Sequence, residues 1–197
     1  MSGPSGSAES RQVGAVLDVA SGGLLADGDQ NGTLRAAEWY AVYTRSRHEK
    51  MVAEQLADKE IEHLLPVYDV LSQWKDRKKW VQKPLFPGYL FARTILADVM
   101  TVVSSRGVVC VVSNRDGPVP VPEGQVEAVR RMVEEPVKVD PWPYLSTGRL
   151  VRVKRGPLRG VEGHVVRRNG TCRLVVSIDL LGQAVAAEVA AECLEPA

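Results

Sequence analysis

Lys83-Pro84-Leu85-Phe86-Pro87-Gly88-Tyr89-Leu90-Phe91 decides the reading of this chain. Nine residues hold three aromatics, two leucines, two prolines and a glycine. Tyr89-Leu90-Phe91 reads as a strand, because aromatics suit a pleated, half-buried surface. Alternation sends Tyr89 and Phe91 to one face and Leu90 to the other, so one face can join a core while the other presents rings. Pro84 and Pro87 lack the N–H that a ladder needs and belong at a strand start or edge. Gly88 relaxes the backbone where the chain turns into the strand.

Working outward, Glu38 to Thr44 is aromatic and β-branched and reads as a second strand. Ser46-Arg47-His48-Glu49 has the form of a capping box, with Ser46 as N-cap, and a helix is expected from there to about Glu60. Leu64 to Val70 is extended, with Pro66 arguing for an edge. Ser72 to Lys83 carries Trp74, Trp80 and the cations Lys75, Arg77, Lys78, Lys79 and Lys83, and reads as a long hairpin loop or splayed strand ends. A short helix is expected after Asp98, ended near Gly107. The apolar run Val108 to Val112 reads as a buried strand. Asn114-Arg115-Asp116-Gly117 is a turn. Pro122 opens a helix with Val126, Val129 and Val133 on one face, and Pro136 closes it. This order gives an α+β sandwich over residues 38–135, with helices laid on one mostly antiparallel sheet.

Residues 1–37, rich in Ser, Gly, Ala and Asp and free of aromatics, are expected to be a disordered tail. Residues 136–147, with Pro136, Pro141 and Pro143, read as an extended linker. In 148–197 several short strands, an Asn169-Gly170 hairpin signal and frequent glycines predict a small β-barrel. Asn169-Gly170, Gly160 and Gly163 disfavour a helical alternative for this region.

Composition bounds the function. The 197 residues carry a net charge of +1, so only local patches can seek polyanions. From Arg149 to Arg173 there are eight basic residues against one acid, Glu162. Cys110, Cys172 and Cys193 are far apart and odd in number, which argues for a reducing cytosol and against a disulfide framework. His48, His63 and His164 are scattered, so neither metal nor cofactor is expected. No apolar run reaches the roughly 20 residues of a membrane helix, and no membrane partner is expected. No GxxxxGK phosphate loop and no Ser/His/Asp spacing occurs, so an enzyme is not expected.

A Trp39-Tyr40 strand, the Pro-Leu-Phe-Pro-Gly-Tyr-Leu-Phe stretch, a proline-rich linker and the segment Val151-Arg152-Val153-Lys154-Arg155-Gly156-Pro157-Leu158-Arg159-Gly160-Val161-Glu162-Gly163 occur in this order. Together they resemble the NusG family of transcription elongation factors, over about residues 38–195. The resemblance implies an NGN domain followed by a KOW domain with an SH3-like barrel, in a monomer. The Pro-Leu-Phe-Pro start is similar to specialised antiterminators of the RfaH and UpxY kind. It implies docking on the clamp helices of the largest RNA polymerase subunit through Tyr43, Tyr89 and Phe91, framed by Phe86 and Pro87. It implies contact with upstream or non-template DNA near Arg45 and Arg106, with Arg47 and Lys50 beside them. It implies a second partner, the Rho terminator or a small-subunit ribosomal protein, at the loop of Ile178, Leu180 and Leu181. The alternatives are a KOW-containing RNA- or ribosome-binding module, and the housekeeping factor of the same family.

Overall fold

The structure is a computed structural model that describes residues 36–73, 78–143, 148–168 and 170–197. The expected tail over 1–37 therefore lies almost wholly outside the described residues, as do Trp74, Lys75 and Arg77.

The N-terminal α/β domain is built on an antiparallel sheet. Strands β1 (Glu38–Thr44), β2 (His63–Leu64), β5 (Tyr89–Thr94), β6 (Val108–Val111) and β9 (Pro120–Val121) form it, in the order β2-β5-β1-β6 with β9 also on β1. Helices α1 (Glu49–Asp58) and α2 (Val99–Val103) cover one face and α3 (Glu123–Glu134) the other. The residue pattern dictates this sandwich. On β1 and β5, Tyr40, Val42, Leu90 and Ala92 point to one side, where Val52, Ala53 and Leu56 of α1 and Val99 and Val102 of α2 meet them. Trp39, Ala41 and Phe91 point to the other, where Val126, Val129, Met132 and Val133 of α3 close over them. Separate from this sheet, β3 (Val67–Gln73) and β4 (Lys78–Pro84) pair only with each other as a hairpin. A second small hairpin joins β7 (Ser113–Asn114) to β8 (Gly117–Pro118).

The C-terminal domain is β-rich. Strands β10 (Val139–Trp142), β11 (Arg149–Val153), β12 (Glu162–Arg168), β13 (Thr171–Ile178), β14 (Gln183–Val189) and β15 (Leu194–Pro196) pair antiparallel in the order β10-β14-β13-β12-β11-β15. Val151, Val153, Leu158, Val161, Leu174, Val176, Ile178 and Val185 form its core, which is continuous with the core under α3. Among the described residues, strands and turns make up the segment in which helix was disfavoured, with only short 3-10 turns at Asp179–Leu181 and Ala191–Cys193.

Three local expectations are corrected. The capping box does not form: α1 starts at Glu49 after His48, without a side-chain cap. Arg47 has φ 64°, so the chain turns at that point and Ser46 is left outside the helix. The run at Val108 is an edge strand, not a buried one, and leaves Val109 and Cys110 exposed because no strand pairs beyond it. The proline-rich stretch is extended as expected, but Val139–Trp142 docks on β14 as a sheet edge, where Pro141 needs no partner for its missing N–H.

Gly88 sits at φ 83°, and an added Cβ would lie 3.2 Å from the Tyr43 ring. Gly88→Ala should therefore cost about 1–3 kcal/mol of stability, read by urea denaturation. Gly117→Ala, at φ 127° with open space around it, carries backbone strain alone and serves as the control.

Candidate polymerase and nucleic-acid interface

The turn before β5 organises the candidate site. The Gly88 N–H donates to Glu49 Oε1 at 2.9 Å, and the Gly88 carbonyl accepts from the Thr44 N–H at 2.8 Å. One residue thus ties the start of α1 to the end of β1. The Glu49 carboxylate is buried for this purpose, which is why it is not available to cap its own helix.

Tyr43 faces Tyr89 across the β1–β5 ladder, with ring centroids 5.1 Å apart. Cys110 faces Tyr43 across the β1–β6 ladder. In the row Tyr89–Tyr43–Cys110, Tyr43 remains 41% exposed, while Tyr89 is half-buried against the α3-side core. Burial raises the Tyr89 hydroxyl above the usual tyrosine range, with Tyr43 and Cys110 adding to the effect, so Tyr89 stays a neutral donor through physiological pH. Pro87 is exposed beside this row.

The other two aromatics fall elsewhere. Phe86 and Phe91 are fully buried, edge to face at 5.7 Å, under α3. Phe91 shares a face with Tyr89, as alternation requires, but α3 covers its end of the strand. The candidate patch is therefore exposed Tyr43 and Pro87 with half-buried Tyr89, next to Cys110; Val109 and Cys110, which sequence reasoning placed inside, are both exposed. The signal that could have found them is position: an apolar strand outside β1 has no neighbour to bury it. Leu96, just before α2, and Met100, within it, are 50% and 70% exposed and add further exposed apolar surface.

The four cations Arg45, Arg47, Lys50 and Arg106 are all exposed. The Arg45 N–H donates to the Gly107 carbonyl at 2.8 Å. Gln55 accepts from the Arg106 N–H and donates to its carbonyl, both at 2.9 Å, which holds the Arg106 loop against α1. No described carboxylate pairs with these four, whereas Arg93 and Arg130 bind Glu62 at 3.4 and 3.2 Å. The basic run of the C-terminal domain is partly neutralised by its own acids: Arg152 meets Glu162, and Arg173 meets Asp140 and Glu188.

Ile178 is fully buried in the C-terminal core. Leu180 and Leu181 are half-buried against the same core, in a short turn that faces α3. There Gln125 Nε2 donates to Asp179 Oδ2 at 3.0 Å, and Arg131 Nη1 donates to the Arg159 carbonyl at 2.8 Å. Among the described residues, no group of His, Cys, Asp and Glu could hold a metal ion, and no helix is long and apolar enough to cross a membrane.

An α/β domain with a tyrosine pair at its sheet end, followed by a β-rich domain, is thus the class of protein defined by the fold. Comparison with known proteins shows what the chain is similar to. The family model described as "Transcription termination factor nusG" matches residues 37–130. The chain is 24% identical over 165 residues to the transcription termination/antitermination protein NusG of Lactococcus lactis, covering 77% of this chain and 88% of that protein. It is 26% identical over 167 residues to the protein of the same name from Vibrio cholerae, covering 77% and 91%. It is 28% identical over 178 residues to that of Deinococcus radiodurans, covering 74% and 92%. A solved structure titled "Domain interaction in Thermotoga maritima NusG" aligns with 81% of this chain and 96% of its own at 22% identity, with a TM-score of 0.48. The N-terminal domain of the chain thus matches the NusG family model, and along most of its length the chain is similar to proteins named transcription termination/antitermination protein NusG.

Removing the Glu49 carboxylate should leave a buried Gly88 N–H without an acceptor. Glu49→Ala is expected to lose about 1–3 kcal/mol in urea denaturation. Glu49→Gln, which keeps an acceptor oxygen, should lose clearly less; equal losses would mean that the contact with Gly88 does not matter.

Proposed function

We propose that this protein is a cytosolic, non-enzymatic transcription elongation or antitermination factor that docks on RNA polymerase through Tyr43, Tyr89 and Pro87. The observation that carries this reading is the tyrosine pair at the sheet end, exposed at Tyr43 and half-buried at Tyr89. Aromatic rings with few rotatable bonds, held by a ladder and by the Gly88 turn, make low-entropy anchors for a partner helix. Phe86 and Phe91 act from below, by holding that end of the sheet in shape. The clamp helices of the largest polymerase subunit are the partner implied by the family. Leu96 and Met100, at the far end of the domain, offer an apolar contact for the opposite side of the polymerase cleft. A domain that spans the cleft holds it shut and thereby suppresses pausing.

Arg45, Arg47, Lys50 and Arg106 lie beside this surface without carboxylate partners, which suits phosphates of upstream or non-template DNA. The C-terminal domain, following residues 136–147, recruits a second partner, Rho or a small-subunit ribosomal protein, through the Leu180–Leu181 turn. Asp179 in that turn is held by Gln125, so such a partner competes with α3 for it. The similarity of Pro-Leu-Phe-Pro to specialised antiterminators favours an operon-specific role over the housekeeping one.

Purified core RNA polymerase should be retained by the immobilised full chain. Tyr43→Ala combined with Tyr89→Ala should weaken retention by roughly thirtyfold or more, as expected for paired hot spots worth about 2 kcal/mol. Circular dichroism must report an unchanged fold. Equal retention by wild type and the folded double variant would remove the tyrosines from the interface. Retention of ribosomal subunits in place of polymerase would favour the ribosome-binding alternative.

A further inference from the structure

The hairpin β3–β4 is not used by the docking surface described above. It pairs with no other strand, and its outer strand carries Lys78, Lys79, Trp80 and Lys83. Alternation divides them. Lys78, Trp80 and Gln82 share one face with Asp69 and Leu71, while Lys79 and Lys83 lie on the other with Tyr68. Tyr68 packs on the α3-side core, so its face looks inward, toward the C-terminal segment. The Trp80 face looks toward α1, because Lys50 Nζ donates to Gln82 Oε1 at 3.1 Å. Trp80 is 37% exposed, directly opposite Leu71 in the ladder. No described carboxylate forms an ion pair with Lys50 or Lys78, although Asp69 stands on the same face.

An exposed indole among unpaired cations has the composition of a stacking platform. Lysines attract phosphates without regard to sequence, and an aromatic face accepts any base that is not already stacked on its neighbours in a duplex. We propose that the Lys78–Trp80 face of this hairpin, continued by Lys50 and Arg47 at the start of α1, binds single-stranded nucleic acid, with a base stacked on Trp80. This rests on the nucleic-acid reading of the Arg45–Arg106 group and extends it to a second element. It also gives the contact a chemistry: unpaired strand, not duplex. The hairpin thereby reads the melted state of the nucleic acid rather than its sequence.

The bland role for Trp80 is a cross-strand apolar pair that steadies the hairpin. Trp80→Leu separates the two, since it keeps an apolar partner for Leu71 and removes the stacking face. The full chain is titrated against fluorescent oligonucleotides of about 12 residues, as single-stranded DNA, as RNA of the same sequence and as DNA duplex, at about 50 and 200 mM KCl. Single strands should bind more tightly than duplex. Trp80→Leu should weaken single-strand binding about tenfold and leave duplex binding unchanged. Lys50→Gln with Lys78→Gln should lower the salt slope for single strands by about 1.4, two phosphate contacts' worth. A preference for DNA or for RNA supports the proposal and identifies the strand that the face takes. Unchanged affinity in Trp80→Leu, or duplex bound as tightly as single strand, overturns it. Polymerase retention by Trp80→Leu is scored separately and should equal wild type, so failure of the docking reading and failure of the stacking reading are told apart.

Discussion

The buried hold on Gly88 is the constraint on which the rest depends. Its N–H is taken by the Glu49 carboxylate and its carbonyl by Thr44, so the first helix, the first strand and the central strand meet at one residue. Only a glycine adopts this positive φ without strain, and only a missing side chain lets the Tyr43 ring lie so close. The tyrosine pair stands at the end of the sheet, with Tyr43 exposed and Tyr89 half-buried. It is ordered because the ladder and the turn leave it little freedom. Exposure and order together distinguish an anchor from a loose apolar side chain.

Charge is distributed by the same logic. Arginines that cross layers are matched with acids: Arg130 with Glu62 and over the Trp39 ring, Arg173 with Asp140 and Glu188. The cations around the first turn of α1 and on the hairpin are not. A nearly neutral chain thus concentrates unpaired positive charge beside its exposed aromatics, without becoming a general polyanion binder. The two domains share one continuous core and polar contacts through α3, from Gln125 to Asp179 and from Arg131 to the Arg159 carbonyl, so the Leu180–Leu181 turn is not a free surface in this arrangement.

Much of the fold was legible. Periodicity located β1, β5, α3 and the strands of the C-terminal domain, because each repeats one chemistry at one spacing. What failed depended on neighbours that sequence does not print. Glu49 looked like a capping residue until a backbone N–H distant in sequence claimed it. Val109 and Cys110 looked buried because the run is apolar, yet no strand follows β6 outward. Phe91 obeyed the alternation of its strand, but α3 decides which half of that face is covered. The extended stretch before residue 144 looked like a tether because prolines are rare inside sheets, but an edge strand tolerates them. Chain order and motif were readable; which end of a face is left bare was not.

The most direct measurement is a site-specific photocrosslink. A benzophenone amino acid is placed at position 43 in the full chain and irradiated with purified core RNA polymerase, with purified ribosomes as competitor. The account predicts a crosslink to a helical segment of the largest polymerase subunit that ribosomes do not displace. A crosslink confined to ribosomal proteins, or none to polymerase from a folded chain, would contradict it.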